Sequence, residues 1–506
     1  MKTAHNVVAN VGGRLWTLLM NFAFIPLYVR FMGVEAYGLV GFFATMLAIF
    51  SILDMGLSLA VNRELVRLDA AGDIARSRNL TRTLELVYWV VGGIIALMIY
   101  LGADFVTHRW LEVSQLPVET ATTAVQLMAL VALLRWPSAL YMGVLMGLRE
   151  HVALNLIMAG VATLAGAGAV LILWQVSPSV TAFFAWQIFA AAIQVALLIF
   201  VTWRKLRLRG HRAAFELSAL RAIYRFSAGI FIVTILSVIL MQLDKLVLSA
   251  TLSLTDFGYY TLAFTIGNVL ATVGLAIHGA LFPSLSHVVA LGDEREITAF
   301  YHKCCQLMAA AIVPAGAVLA LFAPELLQLY LHNAGTAARI TLLVTIFAIA
   351  NTIFAIMMMP YALQLAFGWT RLSIYKNLIA IAIYIPLLFV MVHFFGAIGA
   401  ALAWLILMAG YLLFEITIMH RRLLAGERGR WYLQDVMLPI LLGAGIVGAT
   451  RLATGGTTPL VAVALATVAG GIATLAIVWA SAPLRGFALQ FLRNSRWRDA
   501  SRQKML

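Results

Sequence analysis

The chain has 506 residues, of which 63% are hydrophobic and only 11% are charged, and its mean hydropathy is +0.96. Soluble globular proteins carry about 25% charged residues, so this composition excludes an ordinary soluble enzyme, a disordered chain and a nucleic-acid-binding domain. The net charge of +14 therefore indicates basic loops beside a membrane rather than contact with nucleic acid.

Apolar runs long enough to cross a bilayer recur along the whole chain. They predict an all-α integral membrane protein of about fourteen transmembrane helices, with little room for a soluble domain. The predicted spans are 7–29, 36–60, 82–102, 118–144, 152–174, 180–202, 224–248, 258–283, 303–323, 338–362, 372–393, 396–419, 435–452 and 460–482. No cleavable signal peptide is evident, so the first apolar run is expected to remain as the first helix.

The loops divide sharply by charge. Alternate connections, counted from the N-terminus, hold 28 of the 35 Lys and Arg residues, whereas the opposite set holds four. Because positively charged loops stay in the cytoplasm, both termini are predicted to be cytoplasmic and the number of spans to be even. The three remaining cations, Arg14, Arg135 and Lys245, fall inside predicted spans.

The two halves of the chain resemble each other. A shift of 220 residues places Tyr37-Gly38 on Phe257-Gly258, and further matches at 101–111 and 155–157 keep nearly the same offset. The shift carries the first span onto the seventh in the same direction, which predicts parallel repeats. Such repeats form two lobes around a central cavity and are typical of transporters that work by alternating access.

The repeat predicts three parts of the chain. Residues 1–222 would form a six-helix N-lobe with a basic cytoplasmic linker, and residues 223–434 would form a six-helix C-lobe. Residues 435–506 would contribute the last two helices and a basic cytoplasmic tail.

Polar side chains on the first two spans indicate a water-facing surface. The stripe on the first span has helical spacing and consists of Asn6, Asn10, Arg14, Thr17 and Asn21. Asp54 belongs to a similar stripe on the second span and lies at the depth of Arg14, about 10 Å from the cytoplasmic end. Two interpretations remain open: a structural ion pair, or a cavity-lining pair that a substrate anion or a proton can break.

Arg135 is the strongest single candidate for a binding residue, because it lies near the middle of the fourth span. Pro137, two residues later, predicts a bend with a freed carbonyl. Arginine stays charged and binds phosphate through two parallel hydrogen bonds, although it can also pair with helix carbonyls. In the eighth span, Asn268 belongs to a polar stripe with three threonines.

Other acidic residues are expected at the ends of spans, where charge costs little. Glu35 is assigned to an external loop, and Glu85 and Glu415 are expected to reach the cytoplasmic interface. Asp244 and Lys245 are expected to form an exposed pair at the external end of the seventh span.

Several chemical motifs are absent from the sequence. There is no Gly-Lys dipeptide, HExxH, CxxC or GxSxG, so ATP hydrolysis, metal sites and nucleophilic catalysis are not predicted. Cys304 and Cys305 are adjacent and match no zinc or redox spacing, which favours simple packing. No cofactor is expected, and the external loops carry too few acids for a membrane glycosyltransferase or polymerase.

Two segments carry a resemblance to a known family. Residues 30–65 read RFMGVEAYGLVGFFATMLAIFSILDMGLSLAVNREL, and residues 242–264 repeat the pattern as QLDKLVLSATLSLTDFGYYTLAF. The first segment resembles the first hairpin of Wzx-type polysaccharide transporters, which are flippases of the multidrug/oligosaccharidyl-lipid/polysaccharide (MOP) superfamily. The resemblance implies a two-lobed helical fold with a cationic cavity, although few cations lie deep in the second half of this chain.

The resemblance and the residues together lead to one functional hypothesis. The protein is expected to move an undecaprenyl-diphosphate-linked oligosaccharide across the bacterial inner membrane for surface polysaccharide synthesis. Arg14 and Arg135 would attract the diphosphate, and Asp54 would couple transport to a proton or sodium gradient. Asn10, Asn21 and Asn268 would solvate the sugars.

Two alternatives and several partners accompany this hypothesis. The alternatives are a drug or cation antiporter or a peptidoglycan-precursor flippase of the same fold, and, from another class, a membrane glycosyltransferase. The expected partners are the lipid-linked oligosaccharide, membrane lipid and the polysaccharide polymerase machinery, and no nucleic acid.

Overall fold

A computed structural model of the chain describes residues 13, 16–207, 213–486 and 489–490, with side chains between 217 and 233 described only at Phe231. The chain forms two compact units, Met1–Leu262 and Ala263–Leu506. The described part is helical, and its only pairing of extended backbone is an isolated bridge between Glu112 and Ser253. The predicted all-α class is confirmed, whereas the lobe boundaries at 222 and 434 stay predictions.

The helices of the first unit are joined by short breaks. They are α1 (Ile25–Phe50), α2 (Leu57–Ala70), α3 (Ile74–Phe105), α4 (Val118–Arg135), α5 (Ser138–Gly147), α6 (His151–Gln175), α7 (Val180–Lys205), α8 (Leu217–Thr251) and α9 (Leu254–Gly267), which runs across the boundary into the second unit. A 3₁₀ turn (Ser51–Asp54) follows α1, and a π-helical turn (Val106–Trp110) follows α3.

The second unit continues with longer helices. They are α10 (Val269–Leu291), α11 (Glu294–Leu321), α12 (Ala323–Leu331), α13 (Ala334–Ala366), α14 (Thr370–Gly410), α15 (Ile416–Leu423), α16 (Arg428–Arg430), α17 (Leu438–Ala453) and α18 (Pro459–Ala480). π-helical turns at Tyr411–Glu415 and Trp431–Met437 precede α15 and α17.

Twelve helical segments of the described residues are long and apolar enough to span a membrane. One of them, Thr370–Leu423, has 54 residues and contains two predicted spans. At 1.5 Å per residue it would be about 80 Å long, against a hydrocarbon core of about 30 Å. It is broken at Gly396 (φ 54°, ψ −132°), a conformation that glycine tolerates best. Because the first predicted span, 7–29, lies partly outside the described residues, the number fourteen stays a prediction.

Large apolar side chains are exposed along many of these helices. Leu101, Phe394 and Phe414 are about 70% exposed, and dozens of similar residues surround both units. Soluble monomers rarely expose contiguous apolar surface on this scale. The surface therefore fits hydrocarbon, and the protein is a multi-pass membrane protein.

Helices α1 and α9 pack through a seam that reflects the sequence repeat. A Cβ atom on Gly38 would lie 2.6 Å from the Leu254 carbonyl oxygen, and one on Gly258 would lie 2.3 Å from the Val34 carbonyl oxygen. These two contacts are equivalent under the shift of 220 residues. The reciprocity is what a local two-fold axis between the helices requires.

The next contact along this seam joins two equivalent positions directly. A Cβ on Gly41 would meet the Thr261 side chain at 2.3 Å, and 261 is 41 shifted by 220. Gly38 and Gly258 are thus explained by the close approach of two backbones, whereas the absence of a side chain at Gly41 leaves room for the Thr261 side chain.

Four sequence expectations about charged residues are wrong. Asp244 and Lys245 are buried rather than exposed, and Tyr260 donates a 2.5 Å hydrogen bond to Asp244. Glu85 and Glu415 are also buried rather than extended to an interface. Each has ion-pair and hydrogen-bond partners within its own unit, which offset the cost of burial.

Glu35, which the sequence assigns to an external loop, lies within α1 and has a structural role. It is 3% exposed, and its carboxylate accepts backbone hydrogen bonds from Ser114, Gln115 and Leu116 at 2.6, 2.7 and 3.1 Å. These donors belong to the connection between α3 and α4. Glu35 therefore fixes the shape of that loop instead of facing solvent.

Candidate functional site

Two helix breaks in the first unit frame one pocket. Asp54 ends the 3₁₀ turn after α1, and the left-handed residues Met55 and Gly56 separate it from α2. Arg135 is the last residue of α4, and Pro137 precedes α5. Broken helices within membranes are tolerated where they line a cavity, because the freed backbone groups need polar surroundings.

The helix termini suit the charges that they carry. Asp54 lies just before the N-terminus of α2 and accepts from the Ser58 backbone N–H at 3.4 Å, whereas Arg135 lies at the C-terminus of α4. The helix dipole favours an anion at the first position and a cation at the second. Both charges therefore have a local reason to be tolerated at these breaks.

The pocket holds about 370 Å³ and has both charged and apolar walls. Its lining residues are Leu47, Ser51, Asp54, Gly56, Ser58, Leu59, Tyr88, Arg135, Trp136, Ala139 and Thr234. The structure thus brings together two of the residues predicted from the sequence, Asp54 and Arg135. No ion pair within 4.0 Å joins them among the described contacts, so neither charge is neutralised by direct contact with the other.

Asp54 is held in place by neutral donors. The Tyr88 hydroxyl donates to Oδ1 in a short hydrogen bond, and the Ser58 hydroxyl donates to Oδ2 at 2.9 Å. Tyr88 is 2% exposed and its ring lies against Trp136, with centroids 6.3 Å apart. Asp54 therefore has a fixed orientation without an ion pair in the described part of the chain.

Arg135 has an incomplete set of partners. One terminal nitrogen donates to the Gln187 amide oxygen at 2.8 Å, and the buried Nε has no hydrogen-bond partner. Within the described residues no carboxylate pairs with this guanidinium, although it is held at the end of a membrane helix. An arginine at a pocket wall that lacks a carboxylate partner can bind an anion in the forked manner typical of phosphate.

Sequence reasoning missed the two residues that orient the charges, Gln187 and Tyr88. Gln187 is 7% exposed on α7 and also donates to the Ala165 carbonyl oxygen at 3.4 Å. A single glutamine or tyrosine in an apolar span gives no periodic signal in the sequence. Such residues usually form ordinary hydrogen bonds between helices, so they do not by themselves indicate a site.

Two of the other predicted site residues, Asn21 and Asn268, are not among the residues that line this pocket. Arg14 and Asn10 lie outside the described residues. Asn21 is exposed, and Asn268 immediately precedes α10 in the second unit. The predicted Arg14–Asp54 pair and the role of the asparagines in solvating sugars therefore stay predictions. In the ranges that the structure describes, no group of His, Cys, Asp and Glu is arranged to hold a metal ion.

The fold is shared with solved transporters. A lipid II flippase, MurJ, in an inward closed conformation matches with a TM-score of 0.73 at 11% identity, covering 94% of this chain and 98% of the flippase. A multidrug resistance MATE transporter of the MOP superfamily, in an inward-facing conformation, matches with a TM-score of 0.69 at 14% identity, covering 82% and 98%. The chain therefore shares the fold of these two solved structures.

The sequence itself identifies the family. The model of the polysaccharide biosynthesis protein family matches residues 3–289, more than half of the chain. The chain belongs to this family. A Shigella flexneri protein named "Putative O-antigen transporter" is 21% identical over 410 residues, which cover 80% of this chain and 94% of that protein. The Shigella flexneri relative and the two solved structures are transporters and a flippase by name. Together with the family match they confirm the resemblance stated from the sequence and the expectation that the chain is not an enzyme.

Proposed function

We propose that this protein is a flippase for an undecaprenyl-diphosphate-linked oligosaccharide and works by alternating access in the bacterial inner membrane. Its product would supply O-antigen, exopolysaccharide or capsule synthesis. The family match and the Shigella flexneri relative support a role in polysaccharide export. The observation that carries the proposal is Arg135, a membrane-embedded arginine that lines a pocket and has no carboxylate partner among the described residues.

The pocket chemistry fits a diphosphate better than a cationic drug. A cationic ligand would need carboxylates free of competing donors, whereas the Asp54 oxygens already accept from Tyr88 and Ser58. One terminal nitrogen of Arg135 donates to Gln187, and no carboxylate pairs with the guanidinium among the described residues. A diphosphate can accept from the guanidinium while its lipid tail stays in the hydrocarbon and its sugars stay in water.

Asp54 is the residue that we assign to ion coupling. It is a carboxylate at a helix break with hydroxyl donors around it and no described ion pair. Protonation or sodium binding at this carboxylate would change the charge opposite Arg135 in the same pocket. A gradient could in this way bias binding of the anion, since two ligands of one pocket share a coupling free energy.

Deletion of the gene tests the proposed function. Surface polysaccharide should disappear, and the lipid-linked oligosaccharide should accumulate at the cytoplasmic face of the membrane. Normal surface polysaccharide in the deletion strain would exclude the proposal. Accumulation of a peptidoglycan precursor instead would select the alternative flippase of the same fold.

Reporter fusions test the proposed orientation. Fusions after residues 70, 212 and 425 should be cytoplasmic, and fusions near 112 and 334 should be external, because the cytoplasmic connections hold 28 of the 35 cations. An external signal at residue 212 would place the linker on the wrong side and would contradict two parallel lobes.

A further inference from the structure

A buried group of titratable side chains lies in the second unit, where α11 meets the π-helical turn before α17. His302 on α11 and Asp435 in that turn are both 0% exposed. The imidazole Nδ1 is 2.5 Å from Asp435 Oδ2, and Nε2 is 3.0 Å from Glu427 Oε2. One histidine ring is therefore bonded at both nitrogens by carboxyl groups from the segment before α17.

A second chain of hydrogen bonds shows which oxygen of Asp435 is an acceptor. Ser481, which follows α18, donates its hydroxyl proton to the Gln306 amide oxygen. The amide nitrogen of Gln306 consequently faces Asp435 and donates to Oδ1 at 2.7 Å. Oδ1 therefore acts as an acceptor, and the 2.5 Å contact at Oδ2 needs a proton between that oxygen and Nδ1.

This arrangement requires one proton more than a neutral imidazole and two ionised carboxylates supply. A neutral imidazole has a single N–H, whereas His302 faces a carboxyl group at each nitrogen. If Nε2 donates to Glu427, the contact with Asp435 still lacks a proton. With one added proton, the ring, the two carboxylates and Arg430, which lies 3.5 Å from Glu427, sum to zero charge. Without it, the buried group keeps an uncompensated negative charge.

Among the described hydrogen bonds and ion pairs, those of the His302 ring go to Asp435 and Glu427. The remaining titratable or charged groups near it, on α11 and on the elements packed against α11, are Tyr301, Lys303, Cys304, Cys305, Glu415, His420 and Arg428. The two carboxyl groups face opposite ring nitrogens, so they cannot join the histidine around one metal ion.

We propose that His302, Asp435 and Glu427 form a proton-binding site that fastens the C-terminal helices α17 and α18 to α11. The connections begin at Asp435, just before α17, and at Ser481, just after α18. Glu427 is partly exposed, which gives the proton a route to solvent. Loss of the proton places the Nδ1 lone pair against the Asp435 carboxylate and repels the two elements.

Thermal unfolding of the purified full-length protein tests this site independently of any transport substrate. The measurement is made in detergent at about pH 6 and about pH 8.5, on either side of the ordinary histidine range. The wild-type unfolding midpoint should fall at the higher pH. Asp435→Asn should remove most of this fall, because its amide oxygen accepts from Gln306 while its amide nitrogen donates to the neutral ring.

A matched histidine variant controls for general effects of pH. His278 is partly buried and stacks on Phe282, and no carboxylate pairs with it among the described contacts. His278→Asn should show the wild-type fall.

Three results would overturn the proton site. One is a wild-type midpoint that does not fall between the two pH values, and another is an Asp435→Asn protein that falls as the wild type does. The third is failure of Asp435→Asn to accumulate while His278→Asn accumulates, since the amide satisfies every hydrogen bond of the protonated site.

Discussion

Two buried sets of charged side chains in this protein differ in how completely their hydrogen-bonding groups are paired. In the first unit, Arg135 has one amide partner, an unpartnered Nε and a pocket in front of it. In the second unit, His302 is bonded by a carboxyl group at each ring nitrogen, and Asp435 accepts at both oxygens. The first arrangement keeps donors available for a ligand, whereas the second has room only for a proton.

The comparison separates binding charges from structural charges within one membrane protein. Burying a charge is expensive, so most buried charges here are neutralised by a neighbour, as Glu415 is by Lys376 at 2.7 Å. A charge that lacks such a neighbour retains part of the cost until a ligand arrives. We therefore expect mutations of paired charges to affect folding and mutations of Arg135 to affect transport.

The largest effect is expected from Arg135→Ala. Surface polysaccharide per molecule of membrane protein should fall by about 10- to 100-fold, since a hydrogen bond to a charged group contributes about 1.5–3 kcal/mol. Membrane abundance should fall little. The exposed Arg109 provides the matched control, and Arg109→Ala should retain normal polysaccharide. A collapse of abundance with normal polysaccharide per remaining molecule would show that Arg135 has a structural role. The distinction between a binding charge in the first unit and a structural charge in the second would then be wrong.

Asp54→Asn distinguishes coupling from simple packing. The amide keeps one acceptor for Tyr88 or Ser58 but cannot carry the negative charge. We expect normal abundance and a loss of gradient-driven transport, measured as surface polysaccharide normalised to membrane protein. If Asp54 only pairs with Arg14, abundance should fall in Asp54→Asn and recover in the double variant Arg14→Gln, Asp54→Asn. Full transport in the single variant would exclude both roles.

Glu35→Gln tests a buried carboxylate whose hydrogen-bond partners are backbone N–H groups. The three backbone donors of Ser114, Gln115 and Leu116 would meet an amide that offers only one acceptor oxygen. The loss of these bonds should cost about 1–3 kcal/mol, lower the abundance and open the loop to added protease. Transport per remaining molecule should be normal. The exposed Glu119 is the control, and Glu119→Gln should leave the loop protected.

The sequence predicts much of the fold because the bilayer imposes strong rules on it. Span lengths and charge asymmetry follow from hydrocarbon thickness and the cytoplasmic preference for cations. The repeat at Tyr37-Gly38 and Phe257-Gly258 is visible because two backbones meet there and require glycine. The bend at Pro137 can be predicted from the sequence because proline lacks a backbone N–H donor.

The sequence does not reveal partners that are distant along the chain. Gln187 reaches Arg135 across 52 residues, and Asp435 reaches His302 across 133. Glu35 looks like an ordinary loop acid until the backbone of Ser114 is placed beside it. Whether a charge is paired depends on such contacts. The sequence therefore predicts Arg135 as a charged site but cannot show that no carboxylate of the described residues pairs with it.

Binding of a lipid diphosphate to the purified protein tests the central claim most directly. Undecaprenyl diphosphate and undecaprenyl monophosphate would be titrated against the wild type, Arg135→Lys and Arg135→Ala. We expect the diphosphate affinity to fall by about tenfold or more in Arg135→Ala and by less in Arg135→Lys, which keeps the charge but loses the planar fork. Equal diphosphate affinity in the wild type and in folded Arg135→Ala would contradict the assignment of Arg135 as the anion-binding residue.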